Sequence, residues 1–153
     1  NAGARFSIDS LFKKVHPVPN IETTIAIRLI QVHLCILYFF SGCGKLLGAS
    51  WWEGTALWGA VANIQYRTID FTFLAWHPLL VNALTLGALF WEISYAALIW
   101  PRLTRPLFLI TAVFVHLGIG LAMGMMEFGI AMLIANMAFL PTQFNTLHNN
   151  SNP

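Results

Sequence analysis

Two cations, Arg28 and Lys45, bracket a run that holds no other Asp, Glu, Lys or Arg. The run is about 17 residues long, which as an α-helix extends about 26 Å, against a bilayer hydrocarbon core about 30 Å thick. The two charges therefore fall where a membrane-crossing helix places them, one at each interface. After Lys45 come Gly48, Trp51, Trp52 and Glu53, a composition suited to the headgroup region.

Composition extends the argument to the whole chain. Only 9% of the 153 residues are charged and 58% are hydrophobic, whereas a soluble domain carries about 25% charged residues. The expected fold is all-α: one integral membrane helical bundle over residues 1–153, with about four transmembrane helices. Apolar spans are expected at 21–47, 77–100, 107–125 and 126–144, the last one short. Residues 51–76 read as an external or interfacial segment. Ahead of the spans, Phe6, Ile8, Leu11, Phe12 and Val15 share one face, with Lys13 and Lys14 off it. That predicts an amphipathic interfacial lead-in over 6–20, broken by Pro17 and Pro19. The chain opens on Asn1 and closes on a polar tail, so either a processed start or a piece of a longer chain is expected.

The net charge of +2 is small and dispersed, which argues against a nucleic-acid partner. The lipid bilayer is the expected environment, with other membrane subunits as further candidate partners. Arg5, Lys13, Lys14, Arg28, Arg102 and Arg105 fall on one side of a four-span arrangement, and Lys45 and Arg67 on the other. The positive-inside rule then places the N-terminus and the Pro101–Pro106 turn in the cytoplasm, in a cell membrane expected to be a bacterial inner membrane. Cys35 and Cys43 lie about 12 Å apart along one helix. That is beyond the roughly 7 Å Cα separation a disulfide tolerates, and both read as small buried hydrophobes.

Polar residues on these helices form stripes. Gln31, Tyr38, Ser41 and Lys45 share a face of the first span, with His33 opposite; Asn82, Thr85 and Glu92 share a face of the second. On the third, His116, Gly120, Met123 and Glu127 line up. Gly44–Gly48 and Gly120–Gly124 have the spacing that lets helices approach closely. Lys45 reads either as a snorkelling anchor or as a functional amine. Glu92 sits about 15 Å from the Arg102 end, near mid-membrane, where a carboxylate is costly and needs a partner. Counting from the turn near Leu103–Thr104 puts His116 at the same depth, so Glu92 and His116 are expected to face each other, with Tyr38 and Asn136 as rival partners. Metal-ligand spacings such as HExxH and CxxC are absent, and no metal is expected.

The stretch YFFSGCGKLLGASWWEGTALW, from Tyr38, resembles the membrane domain of vitamin K-dependent gamma-carboxylase and its bacterial relatives, the horizontally transferred transmembrane (HTTM) family. The similarity runs through Gly42, Lys45–Leu46, Trp51 and Glu53–Gly54. RLIQVHL from Arg28, FSIDSLFKK, and VHLGIGLAMGMMEFGIAMLIANMAFLP from Val115 resemble further parts of that domain. A weaker resemblance, at the GxxKL end of the first span, is to DoxX-like membrane proteins linked to quinone chemistry. The gamma-carboxylase likeness implies Lys45 as a catalytic base acting on a reduced quinone or vitamin K-like lipid. It also implies an intramembrane site that includes Tyr38, Ser41, Glu92, His116 and Asn136. A lysine ammonium in a low-dielectric site gives up its proton more readily, which suits a base. The carboxylase's lumenal domain has no counterpart here, so full carboxylase activity is not implied. The competing reading is a non-enzymatic accessory or structural subunit of a larger membrane complex, its polar residues serving helix contacts.

Overall fold

The structure, a computed structural model, describes residues 21–65 and 67–140. The expected lead-in over 6–20 and the end of the fourth run, 141–144, lie outside the described residues. Among the described residues the chain is helical throughout, with no strand. Its elements are α1 (Ile21–Lys45), α2 (Ala49–Trp52), α3 (Ala56–Val61), a 3₁₀ turn (Thr72–Trp76), α4 (Pro78–Leu98), α5 (Arg105–Ala122), α6 (Met126–Asn136) and a second 3₁₀ turn (Met137–Phe139).

Three of these helices, α1, α4 and α5, are long and apolar enough to cross a membrane. α6 is shorter, at 11 residues, or about 16 Å. It covers roughly half of a hydrocarbon core about 30 Å thick, in keeping with the short fourth run in the sequence. The most apolar window of each long helix is only 28% buried. The rest faces outward as Leu29, Ile36, Phe40, Phe90 and Phe114, a surface that water would penalise and acyl chains would not.

Local chemistry sets the helix ends. Glu22 lies in the first turn of α1 and Lys45 in its last, each opposing the helix dipole at its own terminus. Prolines occupy the first positions of α4 and α5, where a missing N–H costs nothing. At the α4–α5 turn, Thr104 Oγ1 donates to Leu98 O, Arg105 Nε to Ile99 O at 3.2 Å, and Arg105 Nη2 to Trp100 O at 2.6 Å. The last carbonyl of α4 and the two that follow it, which have no partner within the helix, are thereby satisfied by the residues that begin α5. Gly124, at φ 68°, supplies the left-handed turn between α5 and α6.

α1 packs chiefly along α4, and α5 along α6. The main core joins Leu34, Cys35 and Tyr38 of α1 to Trp91, Tyr95 and Ile99, with Phe108 and Ala112 of α5, Met132 of α6 and Phe139. A second cluster of Val61, Leu74, Val81 and Ala122 seats the segment between α1 and α4 on one end of the bundle. That segment is hydrogen-bonded to the helices beneath it. Leu57 N donates to Thr85 Oγ1 at 3.2 Å, and Thr68 N to Ala122 O at 3.1 Å. Thr85, fully buried, thus supplies an acceptor to the otherwise unpaired start of α3.

Glycines make two of the close contacts. A Cβ on Gly129 would lie 2.6 Å from His116 O, and one on Gly42 would lie 2.6 Å from Ile93 Cγ1. Gly44 faces open space, so the Gly44–Gly48 spacing is not a packing motif here. Gly120 does pack, against Met126, while Gly124 serves the turn. Gly129→Ala meets rigid backbone and is expected to destabilise by about 1–3 kcal/mol, the range for overpacking. Gly44→Ala is expected to be neutral, or stabilising by up to about 1 kcal/mol through helix propensity. Thermal unfolding of the two variants in one detergent checks this, and equal losses would contradict the packing described.

Candidate functional site

The polar side chains of the helices gather in two layers. The first lies at the C-terminal end of α1. Lys45 Nζ donates to both carboxylate oxygens of Glu92 on α4, forming an ion pair, and to Ser41 Oγ at 3.1 Å. All three ammonium hydrogens thus have acceptors. The Trp51 ring covers the ammonium at 5.3 Å, within cation–π range. The Lys45 and Glu92 side chains are 26% and 15% exposed, so the pair is shielded yet reachable. The packing of Gly42 against Ile93 and the Glu92 Cβ brings α1 and α4 close enough for it. Just outside, Gly54 adopts φ 72° with its Cα against Asn82, whose Nδ2 donates to Glu53 O at 3.3 Å. The Asn82–Thr85–Glu92 stripe therefore holds down, in turn, the Glu53–Gly54 turn, α3 and Lys45.

The second layer is deeper in the bundle. Tyr38 on α1 meets Nε2 of His116 on α5 at 2.5 Å. Its oxygen accepts from Asn136 Nδ2 on α6 at 3.0 Å. Asn136 Nδ2 also donates to Met132 O at 2.8 Å, and Asn136 Oδ1 accepts from the Tyr95 hydroxyl at 2.7 Å. Tyr38 packs in a tilted arrangement against Tyr95 at 4.2 Å and edge-on against Trp91 at 5.0 Å. Tyr38, His116 and Asn136 are all buried. Nearer the other end, Gln31 accepts from Arg28 at 3.0 Å and donates to Ala138 O at 2.8 Å.

The structure corrects one expectation. Glu92 and His116 do not face each other: Glu92 pairs with Lys45 and His116 with Tyr38. Equal depth on a hairpin does not fix the direction in which a side chain points. α4 lies against α1 more than against α5, so Glu92 is turned to α1. Trp91, one residue earlier and about 100° around the helix, is the residue that meets His116, at 6.4 Å between rings. His33 is exposed, away from the polar stripe of α1, and Glu127 is exposed at the start of α6. Cys35 and Cys43 are both free. Among the described residues no group of three or more His, Cys, Asp or Glu side chains could hold a metal.

Sequence reasoning did not single out Trp91 or Tyr95. Tyr95 lies three residues after Glu92, within reach of the same stripe, and that spacing could have found it. Trp91 could not be told from any apolar aromatic.

The HTTM domain profile matches residues 1–144. The chain belongs to the HTTM domain family. Comparison with curated proteins and with solved structures returns no match. Both polar layers fall within the matched region, so this HTTM chain is an integral membrane protein whose family domain contains the Lys45–Glu92 pair and the Tyr38 network.

The ion pair makes a stability prediction. Lys45→Met and Glu92→Gln should each cost about 1–3 kcal/mol, below the 3–5 kcal/mol of a fully buried pair, because both side chains keep some exposure. The double variant should lose less than the sum, as expected for coupled neighbours. Losses from Glu92→Gln and His116→Leu should instead add. Thermal unfolding of the wild type, the three single variants and the two double variants measures both couplings, and additive losses at Lys45 and Glu92 would contradict the pair.

Proposed function

We propose that this HTTM protein deprotonates a hydroxyl of a membrane-soluble quinol or related lipid, with Lys45 as the base. The carrying observation is that Lys45 is held by Glu92, Ser41 and the Trp51 ring, so that its ammonium is largely shielded yet still reachable. A base needs a partner that can take the proton it carries at rest. Transfer of one proton from Nζ to Glu92 converts an ammonium–carboxylate pair into an amine and a carboxylic acid. Net charge is unchanged, and the amine lone pair becomes available. The amine then accepts the proton of a bound hydroxyl, leaving an oxyanion beside the regenerated ammonium; the displaced proton stays on Glu92, whose side chain is 15% exposed, and leaves to solvent before the next turnover. Ser41 and Trp51 hold Nζ in place during both transfers. Membership of the HTTM family and the match of Lys45 to the carboxylase-like block favour this reading over a purely structural subunit.

Arginine keeps the charge and can keep the ion pair, but does not deprotonate in proteins. Lys45→Arg should therefore preserve folding in nanodiscs while abolishing base-dependent turnover of a reduced naphthoquinol, read as oxygen uptake or solvent exchange. Wild-type rates in that variant would reduce Lys45 to an anchor.

From the cation asymmetry of the sequence we further propose a multi-pass protein of a bacterial inner membrane, with Leu103 on the cytoplasmic side and Ile64 outside. Both side chains are strongly exposed, so cysteines there report accessibility without disturbing the core. In a background lacking Cys35 and Cys43, an impermeant thiol reagent applied to intact cells should label Ile64→Cys and spare Leu103→Cys. The reverse pattern would invert the orientation.

A further inference from the structure

One backbone carbonyl orients the Asn136 amide, and the rest of the Tyr38 layer is inferred from it. Met132 O can only accept, so the Asn136 atom 2.8 Å from it is the amide nitrogen. That leaves Asn136 Oδ1 to accept from Tyr95, and the second amide hydrogen to go to the Tyr38 oxygen. The Tyr38 hydroxyl hydrogen then has one place to go, Nε2 of His116 at 2.5 Å. A neutral imidazole that accepts at Nε2 carries its hydrogen on Nδ1. His116 Nδ1 has no partner, and it is buried, the residue being 3% exposed. Trp91 Nε1–H is likewise buried without a partner, on a residue 6% exposed.

These two are the buried side-chain polar atoms left unpaired among the described residues. They belong to rings in edge-on contact, with centroids 6.4 Å apart. Both are donors, and neither is satisfied by a cation or by another donor. Native interiors rarely leave a buried donor unmade, because its desolvation is then uncompensated. Access is also legible. Phe128 packs edge-on against His116 at 5.8 Å. It also lines an open depression of about 370 Å³ together with Gly124, Met125, Met126 and Glu127. Phe128 is partly exposed and sits on the first turn of α6, so its side chain separates that depression from the imidazole.

We propose that Trp91 Nε1–H and His116 Nδ1–H form a binding site for one neutral oxygen acceptor, reached past Phe128. Two sources share this chemistry, a trapped water and the carbonyl of a membrane lipid. An anion is disfavoured, because among the described residues no Lys or Arg is bonded into this layer to balance it. The site is separate from Lys45 and does not depend on the reaction proposed there.

Magnetic resonance of the full chain in nanodiscs, with ¹⁵N-histidine and ¹⁵N-tryptophan, tests the site without an activity readout. The His116 and Trp91 signals are assigned by their loss in His116→Gln and Trp91→Phe. The expected result is a protonated Nδ1 and an unprotonated Nε2 on His116. Both N–H protons should show contacts to one acceptor. A contact to water identifies trapped water, and a contact to ¹³C-carbonyl-labelled lipid identifies the lipid source. Trp91→Phe should weaken or abolish the His116 contact, Phe128→Ala should speed its exchange, and Lys45→Arg should leave it unchanged. A hydrogen on Nε2, or N–H protons in contact with neither source, would overturn the proposal. So would a His116 contact indifferent to Trp91→Phe.

Discussion

The Tyr38 side chain is the point on which the bundle's four packed helices converge. It belongs to α1, packs against two rings of α4, bonds an imidazole on α5 and accepts from an amide on α6. In a lipid environment apolar side chains do not drive helices together, since acyl chains are equally good neighbours. Association then rests on close packing and on interhelical hydrogen bonds. A hydroxyl that both donates and accepts can tie three helices with one group, and its aromatic body fills the space against the fourth. The close approach at Gly129 serves the same end, because it presses α6 onto the turn of α5 that carries His116.

Two layers of polar chemistry follow from this arrangement, and they differ in kind. Tyr38 and Lys45 are seven residues apart, or about 10 Å along α1, on one stripe. The deep layer is neutral, with its Asn136 amide oriented by Met132 O. The outer layer is charged and closes at the end of the bundle, where Trp51 and the Glu53–Gly54 turn fold over it. A neutral network tolerates full burial once its donors find acceptors. An ion pair is less costly where some solvent access remains, and the exposures of Lys45 and Glu92 reflect that.

The segment between α1 and α4 is more than a connection. Its contacts with Thr85, Asn82 and the end of α5 place Trp51 beside Lys45 and lend the ion pair a lid of aromatic surface. The positive φ of Gly54 against Asn82 explains why an acid–glycine pair follows the tryptophans: a side chain there would meet both backbone strain and the amide of Asn82.

The sequence by itself determined the helical class, the three long apolar helices and the short fourth one, and the polar faces of α1 and α4. Those properties depend on periodicity and on charge spacing, which are local. It also carried the resemblance from which HTTM membership and the prominence of Lys45 could be read. The partners were another matter. Glu92 was expected to meet His116 because depth along a helix can be counted from a turn, but the azimuth at which two helices meet cannot. Only the tertiary structure decided that α4 turns Glu92 to α1 and Trp91 to α5. It likewise decided that Gly129 is a contact and Gly44 is not, because helix-to-helix distance is set by the whole packed surface rather than by any residue's own spacing.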